Sequence, residues 1–113
     1  MVSKGRLTVI IAAFSLGFAA LASAQDAKVK GEKVFTDQKC TLCHSIAGKG
    51  NAKGPLDSVG AKLKPEEIRL WLTDTKAMTV KSKSERKPEM KVYTFEKDDV
   101  DALVAYLSTL KKK

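Results

Sequence analysis

Cys40-Thr41-Leu42-Cys43-His44 gathers both cysteines and the only histidine of the chain into five residues. Two thiols separated by two residues and followed at once by an imidazole form the attachment pattern of a c-type haem. Each thiol can add across one vinyl group of the porphyrin, and the imidazole is then held beneath the ring, where its nitrogen can ligate iron. Three other chemistries use such a pair: a structural disulfide, a thioredoxin-like redox couple, or half of a zinc site. A four-ligand zinc site needs more cysteine or histidine than the chain has. A thioredoxin-like pair follows a strand in a βαβ pattern, and no such pattern is found. The haem reading is therefore preferred.

The elements that must position this motif are helical. Asp26 is placed to cap a helix over Ala27 to Asp37, in which Val34 and Phe35 lie one turn from Gly31, and this helix delivers Cys40. Glycine is costly inside a helix, and a close crossing with another helix would explain it; the alternative is a weak point in a short helix. Ile46 to Leu56 is rich in Gly and Lys, has neither helix nor strand period, and reads as loop. Within it, Gly54-Pro55-Leu56 is either an ordinary turn or a support in which the Pro55 carbonyl accepts the hydrogen bond of the imidazole nitrogen turned away from iron.

Pro65 at a first helical position, followed by Glu66 and Glu67, starts a helix carrying Ile68, Trp71 and Leu72 and ending near Asp74 to Lys76. Trp71 is either core packing or a buried N–H donor for a haem propionate. Lys76 to Lys91 is irregular and strongly charged, either a solvated loop or a basic ring around an exposed haem edge. The last helix begins between Phe95 and Asp98. Val100, Leu103, Val104, Leu107 and Leu110 fall on one face, acidic residues stand at its start and lysines at its end. Tyr106 borders that face and is the candidate to meet the Gly31–Phe35 region. No convincing strand is found, so the class is all-α.

With 113 residues and a formal charge of +8, the chain has room for one small domain. Residues 1–24 read as a cleaved secretory signal peptide: Lys4 and Arg6, a mostly apolar run from Leu7 to Leu21, and Ala22-Ser23-Ala24 as the cleavage site. The apolar run is short for an uncleaved membrane anchor, which needs about 20 residues. Losing the two basic residues of the leader lowers the charge from +8 to +6 for a product spanning 25–113. That balance suits acidic protein partners or membrane surfaces. Nucleic acid ranks low, because there is no recognition helix, zinc finger or aromatic-studded basic sheet. At 89 residues and a modest 6% aromatic content, the exported product is near the size at which folding often needs help, and a buried haem would supply it.

Iron bound by one histidine has a sixth position. With no second histidine, a methionine thioether leads, and once Met1 has left with the leader the contest is between Met90, in a Pro-led loop before the last helix, and Met78, just after the Trp71 helix. Met90 is favoured.

Taken together, the attachment motif, Gly31 and Phe35 before it, Gly54-Pro55-Leu56 after it, Trp71-Leu72, Met90 and the ending from Val100 to Leu107 resemble the class I, single-haem c-type cytochromes. The resemblance covers essentially the whole exported chain. It implies the all-helical cytochrome c fold, with three to four helices around one haem c bound through Cys40 and Cys43. It further implies axial ligation by His44 and Met90, support of His44 by Pro55, Trp71 near a propionate, and a crossing of the first and last helices.

The function so implied is one-electron transfer by an exported, periplasmic, soluble monomer, not an enzyme, docking with acidic redox partner proteins and not inserting into membranes after cleavage. The alternatives are an open-site haem protein that binds small ligands, or the haem subunit of a periplasmic oxidoreductase complex. Sequencing of the exported protein is expected to start at Gln25; recovery in membranes with Met1 intact would overturn the leader assignment.

Overall fold

The computed structural model describes residues 16–112, and the surroundings of side chains from Ser23 onward. Helix α1 spans Leu16–Asp37, α2 Val59–Lys62, α3 Pro65–Thr73, α4 Thr75–Lys81 and α5 Lys97–Ser108. The described residues are thus mainly helical, with five α-helices where the resemblance implies three to four. The extra ones are short. Helix α4 lies in the stretch expected to be irregular from Lys76 onward, and α2 follows directly on the loop expected over Ile46 to Leu56.

A two-stranded hairpin also interrupts that loop: β1, Ser45–Ile46, pairs antiparallel with β2, Lys49–Gly50. Four residues of strand are too few for a period-2 pattern to register. Its turn residues Ala47 and Gly48 both have positive φ, 51° and 78°, as a two-residue type I′ connection requires. The carboxylate of Asp57 accepts the Ala47 N–H at 2.7 Å.

Asp26 does not cap α1 but lies within it, because the alanine-rich stretch before it is itself a good helix former. The expected cleavage boundary between Ala24 and Gln25 therefore falls inside a helix. Lys4, Arg6 and the first part of the apolar run lie outside the described residues. Among the described residues, no helix is long and apolar enough to cross a membrane.

Helix α1 stops where Lys39 takes a left-handed conformation, φ 57°, and the Lys39 N–H bonds back to the Thr36 carbonyl at 3.0 Å. The chain then turns through one 3-10 turn, Cys40–Leu42. At the start of α3, Pro65 occupies the first turn and the Glu67 carboxylate accepts the Lys64 N–H at 3.2 Å. Helix α5 starts with Asp98 and Asp99 in its first turn, where the helix dipole favours anions.

Helices α1, α3 and α5 share one core built from Val34, Phe35, Ile68, Leu72, Val100, Leu103, Val104, Tyr106 and Leu107. Leu103, 1% exposed, stands at its centre. The crossing of α1 and α5 is as close as Gly31 permits: a Cβ there would overlap the Ala102 carbonyl oxygen and lie 2.6 Å from Tyr106 Cβ. Tyr106, the candidate to meet the Gly31–Phe35 region, meets Phe35 edge-on, with ring centroids 6.2 Å apart. Two surface ion pairs flank the contacts to α5, Lys30 with Asp99 at 3.4 Å and Arg69 with Asp101 at 2.8 Å; exposed pairs of this kind contribute little.

Gly31→Ala sets two effects against each other. Alanine gains about 1 kcal/mol of helix propensity, while forcing a methyl group against a neighbouring backbone costs about 1–3 kcal/mol or more. Because the obstacle is backbone and cannot rotate aside, overpacking wins. Denaturant titration is expected to show a net loss on the order of 1–2 kcal/mol, and an unchanged midpoint would contradict this crossing.

Candidate functional site

The short turn after α1 presents the two cysteines differently. Cys40 is half-buried and packs against the core, whereas Cys43 is exposed. Burial raises the Cys40 thiol pKa above its ordinary value. Both line one cavity of about 290 Å³, the larger part of whose walls is apolar.

His44 stands at the same cavity, fixed from behind. Its Nδ1 lies 3.1 Å from the carbonyl oxygen of Gly54. A carbonyl only accepts, so Nδ1 carries the proton and Nε2 keeps the lone pair that a metal would take. This corrects the expectation for Pro55: the acceptor is the residue before it. Ser45 and Pro55 form a parallel bridge, with the Ser45 N–H on the Gly54 carbonyl at 3.0 Å and the Leu56 N–H on the Ser45 carbonyl at 2.8 Å. Gly54 thereby faces the histidine, and Pro55, which has no N–H to offer a ladder, is turned to the outside.

Burial lowers the His44 pKa from its ordinary value; the bond to Gly54 pulls the other way, and the nearby Arg86 cation adds to the lowering. The net effect favours the neutral imidazole, the form that binds metals.

Phe35, Leu56, Val59, Leu63, Ile68 and Leu103 supply much of the remaining wall. Trp71 also lines the cavity and is neither fully buried nor exposed. Among the described residues, none of the hydrogen bonds uses its indole N–H.

The two methionines separate cleanly. Met90 lines the cavity and is half-buried, whereas Met78, on α4, is 6% exposed and does not reach the cavity wall. Thr79, next to it, does. After Met90 the chain is steadied by Tyr93, which stacks on Phe95 with centroids 5.0 Å apart and lies under Lys91 Nζ at 5.3 Å.

Arg86 is the residue whose place the sequence does not foretell. Expected as one charge of a solvated loop or of a basic ring, it lines the cavity, and its guanidinium donates to the Cys43 carbonyl. An arginine in a lysine-rich stretch carries no local signal of turning inward.

The residues present fit a haem. An apolar cavity in a small chain has two cysteines at one side, an imidazole with its lone pair on Nε2, and a thioether among the same lining residues. Among the described residues both cysteines are free, and there is no group of three or more metal-ligating His, Cys, Asp or Glu. The set Cys40, Cys43, His44, Trp71 and Met90 is thus brought together, and Pro55 stands one residue from the atom that holds His44.

Comparison with known proteins agrees with this geometry. Among curated proteins, cytochrome c oxidase subunit 2 of Alkalihalophilus pseudofirmus is 28% identical over 91 residues, which cover 73% of this chain and 25% of that protein. The chain thus spans about a quarter of the length of this relative. No solved structure matches. The cytochrome c family model matches residues 29–111, from the middle of α1 to beyond α5. The chain belongs to the cytochrome c family.

Proposed function

We propose that this chain is a class I, single-haem electron carrier, with one haem c bound covalently through Cys40 and Cys43 and iron held between His44 and Met90. The observation that carries the reading is that His44, both cysteines and Met90 line one apolar cavity together. When bound, the haem would supply a one-electron couple, and a thioether ligand would raise its reduction potential relative to more donating ligands.

Everything else is done by the protein. Gly54 orients the imidazole through Nδ1. Phe35, Leu63, Ile68 and Leu103 exclude water, and a dry site disfavours the more highly charged oxidised state. Met90 would supply the second protein ligand to the iron, which in this reading would leave no iron site for a substrate. Trp71 is the wall residue with a donor to offer a propionate.

In this reading the protein is exported, loses residues 1–24, works in the periplasm as a monomer, and meets acidic redox partners. The lysines of the stretch from Lys76 to Lys91 support that choice of partner: Lys81, Lys83, Lys87 and Lys91 are all exposed. Such charges steer encounter and make short-lived complexes. A second reading, as the haem-bearing part of a larger redox assembly, is favoured by the likeness to an oxidase subunit. Purification from the native membrane and soluble fractions distinguishes them, since a free carrier elutes alone.

The ligand assignment is tested by absorption spectra of haem-loaded variants. Met90→Ala is expected to lose the ferric charge-transfer band of methionine ligation and to bind carbon monoxide rapidly when reduced. Met78→Ala is expected to keep the band while losing about 2–5 kcal/mol of stability, the usual cost of emptying a buried methionine site. Band retention in Met90→Ala with loss in Met78→Ala would reverse the assignment.

Electron-transfer rates to an acidic partner should fall as ionic strength rises, because the screening length shrinks to about 10 Å at 0.1 M salt. A rate indifferent to salt would refute electrostatic steering.

A further inference from the structure

Arg86 departs four residues before Met90 and returns across the cavity to the other ligand. Its Nη2 donates to the carbonyl of Cys43, the residue that precedes His44. Its Nη1 and Cζ occupy the space where a Cβ of residue 54 would stand. Gly54 is buried, and its carbonyl accepts the His44 Nδ1 proton. One guanidinium therefore touches both segments that hold His44, the one that carries it and the one that orients it. The seat exists because residue 54 has no side chain.

No carboxylate pairs with this cation: among the described residues, the ion pairs of the Lys76–Lys91 stretch consist of Lys87 with Glu89 alone. Arg86 is partly buried, so its charge is screened less than that of its exposed neighbours.

We propose that Arg86 is a positioning residue that braces the His44 side of the haem site and raises the reduction potential of the iron through its fixed charge. The inference rests on the haem-binding reading above. Two effects point in the same direction. A fixed cation close to the iron ligand disfavours the added positive charge of the oxidised state. The same cation, packed against Gly54, draws electron density from the acceptor that would otherwise make the imidazole more donating.

The experiment compares midpoint potentials of haem-loaded wild type, Arg86→Gln, Arg86→Lys and Lys87→Gln by spectroelectrochemistry at low and high salt. Arg86→Gln is expected to lower the potential by roughly a tenfold change in the oxidised-to-reduced ratio, about 59 mV for one electron. That shift is expected to persist at high salt. Arg86→Lys is expected to recover most of it, because the charge returns without the two-pronged contact. Lys87→Gln, at an exposed position, is expected to shift the potential less, and by an amount that salt removes.

If Arg86→Gln loses the charge-transfer band of methionine ligation, the comparison is made with imidazole saturating the sixth position in all proteins, which equalises that ligand and leaves the charge effect readable. A wild-type potential in Arg86→Gln would overturn the inference, as would Arg86→Lys behaving like Arg86→Gln. Wild-type protein that carries no covalent haem would instead overturn the haem-binding reading itself.

Discussion

The approach of α1 to α5 at Gly31 is the constraint on which the rest depends. It joins the beginning and the end of the described chain, and it sets the direction in which α1 points as it hands over to Cys40. Phe35 is one turn further along the same helix and belongs both to the core with Tyr106 and to the cavity wall. The core and the candidate site are therefore one packing problem. A small chain with few aromatic residues has little apolar surface to spare for a separate core, and sharing walls with a cofactor cavity is a natural solution.

The two sides of the cavity are built by different means. On the His44 side the chain uses hydrogen bonds over short sequence distances: the hairpin of β1 and β2, the bridge from Ser45 to Pro55, and the imidazole on Gly54. On the Met90 side it uses packing and aromatic stacking, with Tyr93 on Phe95 in a segment without regular structure. Arg86 is the contact that crosses from the second side to the first.

Much of this was legible before any coordinates. The five residues of the attachment motif and the apolar face of the last helix carry strong local signals, and helical spacing puts Tyr106 at the border of that face, a candidate to meet the Gly31–Phe35 region, while the crossing itself is what the family resemblance implies. Position in the chain favours Met90 over Met78, and Met90 is the one of the two that lines the cavity. What was not legible is non-local or too short to have a period. The hairpin has two residues per strand, and α4 is a seven-residue helix whose lysines resemble a solvated loop. The carbonyl that meets His44 differs by one residue from the expected one because backbone direction at Gly54-Pro55 is set by pairing with Ser45. Arg86 turns inward through contacts 43 residues away in sequence.

The Gly54 clasp on His44 closes a loop of only 10 residues, whereas Met90 must be gathered from 46 positions beyond the same histidine. Polymer statistics make the longer closure costlier by about 1.3 kcal/mol, and the segment that carries Met90 lacks a ladder of backbone bonds to offset it. The order of events in opening is thus built in. Partial unfolding should release the methionine-bearing segment first while the histidine stays clasped, a sub-global unit separable by hydrogen exchange from the α1–α5 crossing, which would open only with the whole molecule.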